Sequence, residues 1–275
     1  MSTHISEERE YVLGTHDAEL ERLGYQHRVW AEPTAAAWES AGFRRGATLL
    51  DVGCGPGYVT LDLADLVGAG GRVIGVDMSE RFIAHVREQA ARRNLHHVEA
   101  RAEELAMLSQ PEASVDGAFA RWVLCFVSDP GTVIRNVARA LRPGGTFVVM
   151  DYSHYEGFRM GPPSRAIDRV LAVVAESFRA HGGNPNVGME LPRLMHDARL
   201  EVREIRPLVR AGRPGTALWE WPSTFFRVFL PTLVENGSLT EAEHAAFWAD
   251  YDARTRDPAA FFMSPPMVTV IGVRR

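Results

Sequence analysis

Leu49-Leu-Asp-Val-Gly-Cys-Gly-Pro-Gly-Tyr58 is the stretch that decides the fold. Residues 47–52 are a short apolar run ending at glycines, the pattern of a strand buried on both faces. From Tyr58 to Val67 the chain reads as a helix, closed by Gly68-Ala-Gly-Gly71. A strand that ends in Gly53-x-Gly55-x-Gly57 and feeds a helix lets backbone approach a ligand with no Cβ atoms in the way. Many nucleotide-binding folds carry such a turn, so its surroundings must discriminate. Asp51 lies two residues before the first glycine. Asp77 ends the next buried run, Arg72-Val-Ile-Gly-Val-Asp77, twenty residues beyond Gly57 and placed to take both ribose hydroxyls.

Outward from this turn, strands and helices alternate. Ser79 caps a helix whose inward stripe is Phe82, Ile83, Val86 and Ala90. A short strand follows at residues 97–100 and a fourth at 114–120. A helix over residues 130–141 turns Val133, Ile134, Val137 and Leu141 inward, and Arg142-Pro-Gly-Gly145 stops it. Thr146-Phe-Val-Val-Met-Asp151 is the fifth strand. Such alternation predicts a parallel, doubly wound sheet with its ligand beyond the carboxyl ends of the strands. Gly53 to Gly57, Asp77, Arg101 to Glu103 and Ala120 to Trp122 would converge there.

The flanks differ. Residues 15–40 read as one helix, capped by Thr15, with Leu20, Leu23, His27 and Trp30 on one face and Pro33 and Gly42 as punctuation. Residues 152–198 and 211–262 are irregular and helical, while residues 200–207 and 267–273 suit two final strands. The expectation is a Rossmann-like α/β fold: a seven-stranded, mostly parallel sheet with helices on both faces. Residues 1–45 would form an N-terminal helical lid, 46–151 the cofactor-binding core, and 152–275 the remaining strands with an inserted helical cap.

The 275 residues suffice for a full-sized core, and a formal charge of −5 argues against a nucleic-acid partner. Cys54 and Cys125 show no metal-ligand spacing and read as small buried fillers in a reducing compartment. The polar first ten residues do not read as a signal peptide, and no apolar stretch reaches the ~18 residues of a membrane span. The expected location is cytoplasmic.

Together these motifs resemble the class I S-adenosylmethionine-dependent methyltransferases, and within them the small-molecule branch typified by the ubiquinone/menaquinone C-methyltransferases. The quoted glycine turn resembles their first motif, Val73-Ile-Gly-Val-Asp-Met-Ser79 the ribose motif, and Leu141-Arg-Pro-Gly-Gly145 the turn before the fifth strand. The resemblance implies S-adenosylmethionine as cofactor, S-adenosylhomocysteine as product and a small-molecule acceptor used in biosynthesis. It puts Gly53 and Gly55 under the methionine moiety, Asp51 near its amino group, Asp77 on the ribose and Met78 on adenine. Ala102 and Glu103 would read the adenine edge, and the main chain at Ala120–Arg121 would accept from the methionine ammonium. An N-terminal Tyr-x-Leu-Gly and Arg-Leu-x-x-Gln pair, here Tyr11-Val-Leu-Gly14 and Arg22-Leu-Gly-Tyr-Gln26, implies cofactor contacts from Tyr11 and Gln26.

Two departures stand out. Arg101 replaces the family's adenine-reading aspartate, and Leu124-Cys-Phe126 replaces its Leu-His-His. Base or anchor candidates are therefore His154 and Tyr152, with Tyr155, just past the fifth strand, and less directly His181 and Glu220. The run Trp219-Glu-Trp-Pro-Ser-Thr-Phe-Phe226 with Phe229 suits both a cap core and the wall of a pocket for a planar acceptor. Phe261-Phe262-Met263 reads the same way. A nicotinamide-dependent oxidoreductase is the rival enzyme class, opposed by the compact glycine spacing; a non-catalytic cofactor-binding protein is the other. A swapped lid helix would leave room for a homodimer.

Overall fold

The computed structural model describes residues 17–275. Two helices lead, α1 (Asp17–Val29) and α2 (Ala31–Ala41), parted at Trp30. Pro33 does not interrupt them as expected: it sits in the first turn of α2, where a missing N–H breaks no helical bond. The inward face of α1 is more polar than its sequence promised. Glu19 and Arg22 are buried as a bidentate pair, with Arg22 Nε and Nη2 donating to Glu19 at 2.7 and 2.6 Å.

The core follows as β1 (Thr48–Val52), α3 (Tyr58–Val67), β2 (Arg72–Asp77), α4 (Glu80–Arg92), β3 (Val98–Ala102), β4 (Val115–Arg121), α5 (Pro130–Ala140) and β5 (Leu141–Tyr152). Ser79 Oγ accepts from Phe82 N at 3.3 Å and so starts α4; Phe82, Ile83, Val86 and Ala90 are all buried, as the stripe requires. β5 begins earlier than expected. Val115 pairs with Leu141 and Gly117 with Thr146, so Arg142-Pro-Gly-Gly145 is extra chain looped out of an otherwise continuous ladder.

Beyond β5 come β6 (Arg159–Gly161), α6 (Arg165–Ala180), α7 (Leu191–Asp197), β7 (Leu200–Leu208), β8 (Ala211–Gly212), α8 (Ala217–Glu235), α9 (Glu241–Thr255), β9 (Phe261–Met263) and β10 (Met267–Arg274). The main sheet has seven strands in the order β3-β2-β1-β4-β5-β10-β7, and β10 runs antiparallel to both its neighbours. The predicted sheet is therefore present. Its strand order reverses between β1 and β4, which opens a crevice at their carboxyl ends. The cap also holds a small sheet, β6-β9-β8, absent from the sequence reading.

α1 is held down from both sides. Tyr58 Oη of α3 donates to Leu20 O at 3.0 Å, and His27 Nε2 lies 2.9 Å from Asp62 Oδ2. Across the crevice, Tyr25 Oη donates to Ala217 O at 2.9 Å and Trp221 Nε1 to Gln26 Oε1 at 3.0 Å. Helices α1 and α8 together roof the carboxyl edge of the sheet. Among the described residues no helix is long and apolar enough to cross a membrane.

Candidate active site

Under that roof lies a cavity of about 1330 Å³. One end is built by the glycine turn and the tips of β2 and β3, the other by aromatic side chains from β4, β5, α6 and α8. Gly53 must lack a side chain: a Cβ there would stand 2.6 Å from Val123 Cγ2, far inside contact distance. Asp77 is clamped by two backbone donors, Gly55 N on Oδ2 and Ser79 N on Oδ1, each at 2.9 Å. Each carboxylate oxygen keeps a lone pair for a hydroxyl of a ligand in the cavity it lines. Burial raises the Asp77 pKa, and the backbone N–H donors pull it back down.

Asp51, buried at the end of β1, accepts from Thr60 Oγ1 at 2.6 Å. Burial pushes its pKa up to about 7, against the pull of Thr60 and Arg121. The unfolded chain ionises near pH 3.9. From there to about pH 7 the folded state holds a proton the unfolded state has released, so stability of the ligand-free protein falls as pH rises through this window. Asp151, raised by burial to about 6, adds to the slope below pH 6. Replacing Asp51 with asparagine should flatten the fall of melting temperature between pH 6 and 7; a slope like that of the unsubstituted protein would show that Asp51 is already ionised when folded.

Met78, Ala102 and Glu103 line the cavity beyond Asp77. Ala102 pairs with Asp77 across β2 and β3, and Glu103 N donates to Asp77 O at 2.9 Å. Arg101 does not compete for this end. Its guanidinium turns away to Glu99 and to Gln110 Oε1, the latter at 3.1 Å. Gln26 joins from the roof. Its Oε1 accepts from both Arg22 Nη1, at 3.1 Å, and Trp221 Nε1, which leaves the amide NH₂ as a donor toward the cavity.

The structure thus gathers Gln26, Asp51, Gly53, Gly55, Asp77, Met78, Ala102, Glu103, Arg121 and Tyr152 on one cavity. Tyr11 lies outside the described residues. Ala120 is wholly buried within β4 and does not line the cavity, whereas Arg121 does. His154 also lies off the wall: its side chain is 60% exposed, with Nδ1 3.7 Å from Glu156 Oε2. The chain after β5 is turned by His154 N donating to Pro266 O and Tyr155 N to Asn186 Oδ1, which sends Tyr155 inward and His154 out. Cys54 and Cys125 are buried thiols whose pKa values burial drives well upward, which leaves them inert.

Of the aromatic end the sequence reading missed Phe158 and Phe178, while Trp122, Tyr152, Tyr155, Trp221 and Phe226 line the cavity as expected. Trp122 stacks on Trp221 with centroids 6.0 Å apart, and Tyr152 meets Tyr155 edge-on at 5.1 Å. Phe158, Phe178 and Phe226 complete the wall. Trp122 has φ of +53°, a strained conformation for a bulky residue, held where β4 gives way to the cavity floor. His181 reaches the wall as well: its Nδ1 donates to Ser177 O at 2.7 Å, because a carbonyl can only accept.

The sequence matches the family described as a methyltransferase domain over residues 50–149, the part of the chain that builds the glycine turn, Asp77 and β4. The ubiquinone/menaquinone biosynthesis C-methyltransferase UbiE of Escherichia coli is 32% identical over 131 residues, 46% of this chain and 50% of that protein. The chain spans about half the length of the curated relatives it matches. Among solved structures, the geranyl diphosphate C-methyltransferase of Streptomyces coelicolor A3(2), solved with S-adenosylhomocysteine, aligns with a TM-score of 0.58 at 20% identity, covering 90% of this chain and 79% of its own. The [4+2]-cyclase SpnF aligns at 0.59 and 20% identity, over 88% of this chain and 80% of its own. Over the matched residues the glycine turn, Asp77 and the Ala102–Glu103 edge thus stand in one cavity, a donor set that fits S-adenosylmethionine.

Proposed function

We propose that this chain transfers the methyl group of S-adenosylmethionine to a small, planar, largely apolar acceptor. The observation that carries the reading is the continuity of the cavity: the glycine turn and Asp77 line one end and Trp122, Tyr152 and Trp221 the other. The cofactor, when bound, supplies an already activated sulfonium methyl. Asp77 would hold the ribose, Met78 and Ala102 the adenine, and Gln26 would donate from the roof. The protein's remaining task is to hold the acceptor in line and exclude water, and such positioning alone is worth roughly 7–11 kcal/mol. The stacked indoles and phenyl rings supply flat apolar surface for that purpose.

Tyr152 serves in this reading as a hydrogen-bond donor to the acceptor. Burial drives its pKa well above the ordinary phenol value, so at neutral pH it keeps its proton. His154, outside the wall, is left without a catalytic part. Tyr152→Phe should lower kcat/KM by about 3- to 10-fold, the worth of one neutral hydrogen bond, and leave S-adenosylhomocysteine affinity unchanged. A loss above a thousandfold would instead make Tyr152 the base.

Calorimetry with S-adenosylhomocysteine, followed by mass detection of methylated product from a panel of aromatic and polycyclic acceptors, tests the whole reading. No binding would end it. Binding without methylation of any acceptor would favour the cofactor-binding rival.

A further inference from the structure

β7 ends one side of the main sheet, and among the described residues it pairs with β10 alone. Its outer edge offers unpaired backbone groups along Leu200-Glu-Val-Arg-Glu-Ile-Arg-Pro-Leu208. The ladder fixes which way each side chain points. Val202 stands opposite Gly272, where a Cβ would meet Met195 of α7 at 2.9 Å, so Val202 faces α7. Glu204 stands opposite the preceding β10 residue, Ile271, which leaves Arg203 as the extra residue of a bulge. Arg203 and Arg206 both reach Ser40 of α2, and Arg206 Nη2 donates to Ser40 Oγ at 2.8 Å. Alternation then sets Glu201, Arg203, Glu204 and Arg206 on the α2 face and Leu200, Val202, Ile205 and Pro207 on the α7 face. α7 covers only the start of its face: Leu200 is buried, whereas Ile205 is 55% exposed.

An edge of this length accepts another strand unless its side chains oppose one. A second β7, laid antiparallel across a two-fold axis between Arg203 and Glu204, meets no opposition. Glu201 then faces Arg206 of the other copy, Arg203 faces Glu204, Val202 faces Ile205 and Leu200 faces Pro207. Each pair shares a face, acid meets base, and apolar meets apolar. The bulge permits this match, because it puts Arg203 and Glu204 on the same side. Neighbouring registers fail. A shift of one residue sets Glu204 or Arg203 against itself, and a shift of two sets Glu201 against Glu204 or Arg203 against Arg206. Within one copy Glu201 pairs with Arg275 at 2.9 Å and Arg206 pairs with Glu204, surface contacts that exchange at little cost.

We propose that β7 is a homodimer interface, pairing in this register with β7 of a second copy and joining two sheets into one. The contact uses the same surface on both copies, so it closes at two chains. It involves no residue of α1 and is distinct from an exchange of lid helices. The charges fix the register, while the strand ladder and the covered Ile205 side chains hold it. Pro207, lacking an N–H, removes at most one ladder bond at each end.

Sedimentation equilibrium of the full chain tests the interface. The mass should rise with concentration from one chain to two, with a dissociation constant of about 1–100 μM, the weak end for a contact of this size. Ile205→Lys puts a charge against Val202 and should weaken the dimer about tenfold or more. Arg206→Glu sets acid against Glu201 and should also cost about tenfold; adding Glu201→Arg restores opposite charges and should return the affinity to within about threefold. All these positions are exposed, and far-ultraviolet circular dichroism checks that each variant folds. A single-chain mass up to about 500 μM would overturn the proposal. So would assembly beyond two chains, or a dimer that Ile205→Lys and Arg206→Glu leave unweakened, since the contact would then lie elsewhere, as in exchanged lids. A dimer lost in Arg206→Glu and not regained in the double variant would overturn the register.

Discussion

Asp77→Ala is expected to weaken S-adenosylhomocysteine binding by about 100-fold or more. Two terms add. The carboxylate would lose charged hydrogen bonds to two ribose hydroxyls, each worth about 1.5–3 kcal/mol. It would also release Gly55 N and Ser79 N, which it clamps at 2.9 Å, loosening the turn that lines the cavity. Asp77→Asn keeps the shape and one acceptor oxygen, so about tenfold is expected of it. Calorimetry on all three proteins reads the series directly. Affinity left intact in the alanine variant would remove Asp77 from the ribose subsite, whatever the rest of the cavity does.

Gly57→Ala should be the most damaging single change to stability in the core motif. Gly57 caps α3 with φ of +85°, and a Cβ there would stand 2.5 Å from Val86 Cγ2. The left-handed backbone costs an alanine roughly 1–2 kcal/mol. Overpacking against a buried valine of α4 adds about 1–3 kcal/mol. At about 2–4 °C per kcal/mol for a chain of this size, the melting temperature should fall by roughly 5–15 °C. A fall below about 2 °C would mean that α3 and α4 shift apart freely, against the close packing described. Pairing the change with Val86→Ala should recover part of the loss by opening space for the new methyl group.

The parts of the fold legible in the sequence were those set by local chemistry. Apolar runs bounded by glycine marked β1 and β2, and the α3 and β2 bounds fell where expected. Ser79 capped α4 as its residue type dictates. What the sequence hid depends on distant partners. Strands of two or three residues, such as β8 and β9, carry no periodicity and exist only through each other. The polar inward face of α1 makes sense once Glu19 meets Arg22 and His27 meets Asp62. The site divided along the same line. The glycine turn and Asp77 were readable because backbone approach demands those residue types. His154 and Tyr155 could not be told apart by position, since Pro266 and Asn186, far along the chain, decide which of them faces in.

The strand order has a consequence in time. β10 lies between β5 and β7 in space but follows both in sequence, and β7 has no other neighbour in the sheet. On a ribosome, residues 200–208 must therefore wait as an unsatisfied strand while the chain from Leu208 to Met267 is made. At ~5–20 residues per second that delay is about 3–12 s for some sixty residues. The five-stranded half with Gly53 and Asp77 can close first, whereas the half beneath the cap is locked only when β10 arrives. A nascent chain that stalls before residue 267 would carry a finished nucleotide shelf beside an open, adhesive edge, and that edge is where a chaperone would be needed.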